Sequence, residues 1–400
     1  MDADLAVIGG GPVGAALAMC LARAGRRVTV LEKGGFPRDK VCGEGLMPSG
    51  VAVLERLGVD LEAAGFPPLQ GVRYRLAGGG GSGGGGSGGG GGSAGGGSVG
   101  GGFRSGVGRG VRRSRLDQLL AERAASTPGV DFRLGCTATG IVQESVGVRV
   151  ETAGAGSLRA AAVVAADGLR SSAARWMDWA RPPRGVHRFG LAGHLALDGD
   201  PPSEIVVTLL GPVEVYSAPA GLGEQLVAVL GPRGALRRPG HGVVESYREV
   251  VAQAHPELAA APLTSEVRGA GPFQVAPARV AAGRVFLAGD AAGFTDPLTG
   301  DGIAAGLVQA ETLARFLVEA AEEPARAAAR YRAWRARQWR RRRFVSGLSL
   351  ALSGSATLGR RAMVGLGRRP AALQALLEVN DGSRGFRSLR PRDWAALAGF

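Results

Sequence analysis

The stretch "DLAVIGGGPVGAALAMCLARAGRRVTVLEK" (Asp4–Lys33) decides the reading of this chain. Leu5 to Ile8 is a short apolar run, as a strand buried on both faces requires. Gly9-x-Gly11-x-x-Gly14 follows. The first glycine permits a tight turn, the second lets a pyrophosphate approach the backbone, and the third lets helix and strand pack closely. Pro12 to about Ala24 reads as a helix whose first N–H groups, including that of Val13, and whose dipole face that phosphate. Gly25 stops it. The next strand, Val28 to Leu31, ends in Glu32, eighteen residues after Gly14, with Lys33 beside it. A carboxylate there can accept hydrogen bonds from both ribose hydroxyls of an adenosine, and it disfavours a 2′-phosphate. The unit predicts an adenine dinucleotide without deciding between FAD and NAD.

Two later segments bear on that choice. "AAVVAADGLRSSAAR" (161–175) is an apolar strand ending in Asp167-Gly168. "GRVFLAGDAAGFTDPLTGDGIAAGLVQAETLA" (283–314) holds a strand from Val285 to Ala288, then Gly289-Asp290, a loop, and a helix from about Gly302. All three motifs fall at the carboxyl ends of expected parallel strands, where open α/β sheets bind ligands. Asp290 is placed to bond a sugar or ribityl hydroxyl. Gly300, Gly302 and Ile303 open a helix whose N–H groups can face a flavin ring and favour its reduced, anionic form.

In this order and spacing the motifs resemble the flavoprotein superfamily of p-hydroxybenzoate hydroxylase and geranylgeranyl reductase. The resemblance runs from Asp4 to about Ala314, apart from a glycine tract. It implies bound FAD in a Rossmann-like α/β domain, with an inserted, mostly antiparallel β-sheet substrate domain. It assigns pyrophosphate to Gly9, Gly11 and Gly14, ribose to Glu32 and the ribityl chain to Asp290. It also places Arg113 of "GVRRSRLDQLL" beside the cofactor. Where the commoner form has an arginine after the Asp-Gly strand, this chain has Ala174, with Arg175 one place on. With a single complete Gly-x-Gly-x-x-Gly fingerprint, NAD(P)H is expected to visit the flavin as a transient electron donor.

"FPRDKVCGEGLMPSG" (36–50) looks like the geranylgeranyl reductase group, whose members hydrogenate isoprenoid double bonds. Gly293, where many aromatic hydroxylases have histidine, leans the same way. The alternatives are a monooxygenase acting on an aromatic or polyketide-like substrate, and a non-catalytic flavin protein with a basic contact surface. A Trp-x-Trp element and the lysine of flavin halogenases are missing; the only lysines are Lys33 and Lys40. No catalytic residue is assigned. Cys42 and Tyr216 are candidates for contact with flavin or substrate, and each also reads as an ordinary packed residue. An apolar small molecule is the expected substrate.

Forty-six arginines against two lysines, with abundant Ala and Gly, point to a GC-rich coding sequence, so the net charge of +14 argues little for nucleic acid. Three cysteines without pairing and four histidines without ligand spacing (His187, His194, His241, His255) predict neither a disulfide framework nor a metal site. The opening residues run straight into the first motif and lack the basic start of a signal peptide, which predicts a cytoplasmic protein. The expected organisation is an FAD-binding domain over 1–180, a substrate β-sheet over 181–275, a return to the FAD domain over 276–320, and a basic helical region over 321–400. The glycine tract at 78–102 is expected to be a disordered loop. Ala325 to Arg343 carries nine arginines beside a Tyr331, Trp334, Gln338 stripe, a pattern compatible with peripheral contact at an anionic membrane or with a capping helix.

Overall fold

The computed structural model describes residues 1–77, 97–154, 156–183, 187–221, 223–237 and 240–400. Five parallel strands form the spine of the first sheet, in the order Val285–Leu287, Gly156–Ala165, Ala3–Ile8, Val28–Glu32 and Val130–Leu134. Leu5 lies between Ala162 on one side and Val28 on the other. Helix Pro12–Arg23 covers one face, between Arg113–Ala125 and Gly302–Glu319. The other face is closed by the antiparallel pair Ala138–Gln143 and Val148–Thr152 and by the short helix Ser172–Trp176. Burial on both faces is why these strands read as continuous apolar runs. Because the five strands run the same way, Ile8, Glu32, Ala165 and Leu287 end along one edge.

Close packing at that edge depends on two glycines. A Cβ on Gly14 would stand 1.9 Å from the Gly9 carbonyl oxygen, and one on Gly9 would stand 2.6 Å from the oxygen of Ala166. Gly9 also has φ of +100°, a conformation costly for any other residue.

The second sheet runs Arg268–Ala270, Arg188–Ala196, Glu224–Pro232, Val213–Gly221, Glu204–Leu210, Gly71–Leu76 and Ser98–Gly102. All its pairings are antiparallel except that of Gly71–Leu76 with Glu204–Leu210. Helix Val243–Ala254 packs Tyr247, Val250 and Val251 against one of its faces. Val213–Gly221 and Glu224–Pro232 pair antiparallel within the sheet, with Tyr216 opposite Ala228.

Two expectations are corrected here. The tract at 78–102 is not a loop throughout: Ser98–Gly102 is a strand paired with Gly71–Arg75, while 78–96 lies outside the described residues. Glycines form this strand because a ladder needs backbone N–H and C=O groups rather than side chains, and a Cβ on Gly71 would collide with Gly101 at 2.4 Å. Gly71–Leu76 therefore belongs to the second sheet, although it falls within the 1–180 span read as the first part of the FAD domain.

The C-terminal region is helical: Pro324–Ser353, Ala356–Arg368, Pro370–Asp381 and Pro391–Leu397. The basic helix docks on the first sheet, with Tyr331 fully buried and Trp334 and Gln338 half-buried. Its stripe therefore packs inward as a cap, and Arg332, Arg337, Arg340 and Arg343 remain exposed. Among the described residues, no helix is long and apolar enough to cross a membrane.

Candidate functional site

A cavity of about 730 Å³ opens between the carboxyl edge of the first sheet and the inner face of the second. That volume is in the usual range for small-molecule and cofactor sites. Gly11, Pro12 and Val13 line it from the first turn, Ala166 to Arg170 from the Asp-Gly strand, and Gly289 and Asp290 from the third motif. Gly300, Gly302 and Ile303 line it at the start of helix Gly302–Glu319. Arg113, Cys42 and Tyr216 also line it. Gly9 and Gly14 are not on the wall; they shape the turn beneath it. Lys33 is exposed and away from the cavity.

Glu32, 3% exposed, is not among the residues that line the cavity. Its Oε2 accepts from the Gly10 N–H at 2.8 Å and from Arg38 at 3.0 Å. Its Oε1 accepts from the Gly34 N–H at 2.9 Å and from Arg38 at 2.6 Å. Burial alone would push this carboxyl up, but the Arg38 guanidinium and the two N–H groups outweigh it and hold the pKa below the usual carboxylate range. The four bonds use the acceptor positions of the carboxylate. A ribose could take two of them only with Arg38 moved aside.

Among the described residues, two helix N-termini open on the cavity without side-chain caps, at Gly11 and at Asp301. Free N–H groups at such ends favour an anion. A Cβ placed on Gly11 would meet no protein atom within 4 Å, so this backbone faces open space where a ligand can lie against it. Glycine cradle, two helix ends and the Asp290 carboxylate together fit an extended dinucleotide whose phosphates and sugar hydroxyls meet different walls.

Cys42 is half-buried, and its partial removal from water pushes the thiol up against the lowering effect of the Arg113 guanidinium, so it stands as a neutral thiol. Arg113 is tied to Asp117 by bonds of 2.7 and 2.8 Å. The Tyr216 ring packs where a Cβ on Gly43 would be 3.1 Å away, and its buried hydroxyl has no hydrogen-bond partner among the described residues. Burial raises that hydroxyl well above its ordinary pKa, so it remains protonated.

Several residues beside the cavity had no local signal. Glu44, buried with φ of +54°, lines the wall. That backbone conformation costs an L-residue about 1–2 kcal/mol. Its Oε1 accepts from the Arg113 N–H at 2.8 Å, and its Oε2 lies 2.7 Å from His194 Nε2. Arg188, Glu214 and Asp296 form a buried cluster, with Asp296 on the cavity wall. Asp167 caps helix Ser172–Trp176 through the N–H groups of Ser172 and Ala173 at 2.7 and 3.1 Å. Ala174 is buried, and Arg175 folds back on Ser172 and the Arg170 carbonyl, whereas Arg170 itself lines the cavity. Among the described residues, no group of His, Cys, Asp and Glu is arranged to hold a metal ion.

A model of the FAD binding domain family matches residues 2–341. The chain belongs to that family. A menaquinone reductase of Mycobacterium tuberculosis is 29% identical to this flavoprotein over 337 residues, covering 79% of this chain and 76% of that protein. A flavoprotein/dehydrogenase from Cytophaga hutchinsonii superposes with a TM-score of 0.76 at 18% identity, over 95% of this chain and 93% of that one. The halogenase PltM, solved with phloroglucinol and FAD, does so with a TM-score of 0.74 at 16% identity, over 100% of this chain and 86% of that one. At such identities the solved structures speak for the fold alone. Family and cavity agree: the protein is an FAD-dependent oxidoreductase.

Proposed function

We propose that this flavoprotein is a reductase that adds hydrogen across a double bond or quinone of an apolar, isoprenoid-type molecule, with NAD(P)H as the electron donor. The observation that carries the reading is the roof of the cavity. Facing the flavin-binding edge, the second sheet presents Gly190, Ala228 and Leu230, and Phe273 and Phe294 stand beside them. Those side chains suit an apolar substrate. The mycobacterial relative named for menaquinone, a quinone with a polyprenyl tail, supports the same class.

FAD supplies hydride transfer when bound. The chain's own residues position and shield. Gly11 and the free N–H groups in the first turn of helix Pro12–Arg23 would receive phosphate, Asp290 would receive hydroxyls, and the N-terminal end of Gly302–Glu319 would offer positive dipole to developing negative charge. Exposed Lys40, Arg170 and Arg268 line the same cavity and suit the phosphates of a visiting nicotinamide cofactor. Neutral Cys42 and Tyr216 border the substrate space.

Incubation with NAD(P)H and a menaquinone, with and without oxygen, followed by mass spectrometry tests the reading. A product that has gained two hydrogens without oxygen is expected. A product that carries an oxygen atom from O₂, and none without it, would replace the reductase reading with monooxygenation.

A further inference from the structure

His194 and Ser265 are not among the residues that line the cavity. His194 sits on strand Arg188–Ala196, on the same face as Gly190 and Ala192. Its Nε2 lies 2.7 Å from Glu44 Oε2, and its Nδ1 lies 2.9 Å from Ser265 Oγ. His194 is 6% exposed and Glu44 2%, whereas Ser265 is only half-buried. The three side chains thus form an unbroken hydrogen-bonded line from the protein surface to the cavity wall.

Each link can exchange a proton. Ser265 Oγ has two acceptors in reach, His194 Nδ1 at 2.9 Å and the Glu266 carbonyl at 3.3 Å. With its O–H turned to Nδ1, the imidazole is neutral and its Nε2–H donates to Glu44. With the O–H turned to Glu266, Oγ accepts from a protonated Nδ1. Glu44 holds its place through the Arg113 N–H at Oε1, which leaves Oε2 to take the proton. Charged neighbours from every side set the field on this line. Glu224 pairs with Arg112, which also reaches Asp39 at 3.5 Å, and Arg113 pairs with Asp117 beside Cys42.

We propose that Ser265, His194 and Glu44 are a proton conduit that supplies the flavin cavity from solvent. The inference rests on the reductase reading. There, each turnover moves a hydride from reduced FAD to one substrate atom and a proton to another, giving a dihydro product and oxidised FAD. A nicotinamide then returns two electrons with its own hydride. The proton is the one component that neither flavin nor nicotinamide supplies, and Glu44 is where it would reach the wall.

The test uses the holoprotein and the variants His194→Ala, Glu44→Gln and Ser265→Ala, each checked for flavin content and circular dichroism. Bound flavin is reduced without oxygen in weak buffer by reduced methyl viologen, which gives up electrons and no proton, and the proton that the reduced flavin takes up is followed with a pH-indicator dye, so no substrate is required. His194→Ala and Glu44→Gln are expected to slow uptake by about a hundred-fold, the lower range for a positioned proton donor. Ser265→Ala should slow it less, since solvent can enter the space of the hydroxyl. Added imidazole should restore His194→Ala and leave Glu44→Gln unchanged. Uptake at the wild-type rate in His194→Ala with flavin intact would overturn the conduit. So would slowing that imidazole does not relieve, which marks a structural role. Failure of wild-type protein to reduce a menaquinone without oxygen would instead remove the reductase reading, and the dye experiment would still judge the conduit.

Discussion

The Tyr331 hydroxyl, on the C-terminal helix Pro324–Ser353, donates a 2.6 Å hydrogen bond to the carbonyl of Leu287, the last residue of the strand that leads into Gly289-Asp290. It also accepts from Gln309 at 2.6 Å, and the Gln309 side-chain oxygen accepts from the Gly289 N–H at 2.8 Å. The helix that follows the cofactor domain therefore fixes the turn that presents Asp290. Tyr331→Phe leaves Leu287 and Gln309 buried with unmet bonds, at a cost of about 1–3 kcal/mol. Urea denaturation should show that loss, with faster flavin release in a dilution assay.

Two neighbouring glycines should respond differently. Gly14→Ala forces a Cβ to 1.9 Å from Gly9 and must move strand or helix, so the apoprotein itself loses stability. Gly11→Ala puts its methyl into open cavity, so apoprotein stability should stay within about 0.5 kcal/mol, as for a substitution away from structural features. Flavin affinity should nevertheless fall at least about ten-fold, equivalent to about 1.4 kcal/mol. Thermal melts of apoprotein and flavin titration separate the two effects.

Arg188 serves two buried carboxylates, Glu214 and Asp296, both pushed above the ordinary carboxylate range by burial, with Arg188 opposing the rise. Arg188→Met removes that opposition and should cost about 3–5 kcal/mol near neutral pH. The sign with pH follows from the raised carboxyls. The folded state holds their protons more tightly than the unfolded state, so their contribution is most favourable in acid and is lost as pH rises through the folded pKa. The deficit of Arg188→Met should accordingly shrink as pH falls, and Glu214→Gln should be milder at neutral pH. Denaturation curves across pH check both.

Cys42→Ala should keep most of the wild-type turnover, because burial holds the thiol neutral and removes thiolate chemistry. A loss of turnover beyond about a hundred-fold with flavin retained would show instead that the thiol takes part in the reaction.

Much of the cofactor edge was legible in the chain because its signals are local. Gly9 to Gly14 with the strand before and the helix after, and Asp290 after its strand, are each carried by a short segment. The rest depends on partners far apart. His194 shows no spacing pattern, since Glu44 is 150 residues away and Ser265 is 71. Arg188 meets Asp296 across 108 residues. Gly71–Leu76 reads plainly as a strand, but which sheet it joins is set by Glu204–Leu210. The Tyr331 stripe fits a lipid surface or a protein surface equally well, because periodicity records an apolar face and not what covers it.

The most direct test of the reductase account is anaerobic stopped-flow mixing of NAD(P)H-reduced holoprotein with a menaquinone or another polyprenyl substrate. The account predicts that flavin absorbance returns without oxygen, at a rate that rises with substrate concentration. Flavin that stays reduced until oxygen is admitted, with substrate then gaining an oxygen atom, would contradict it.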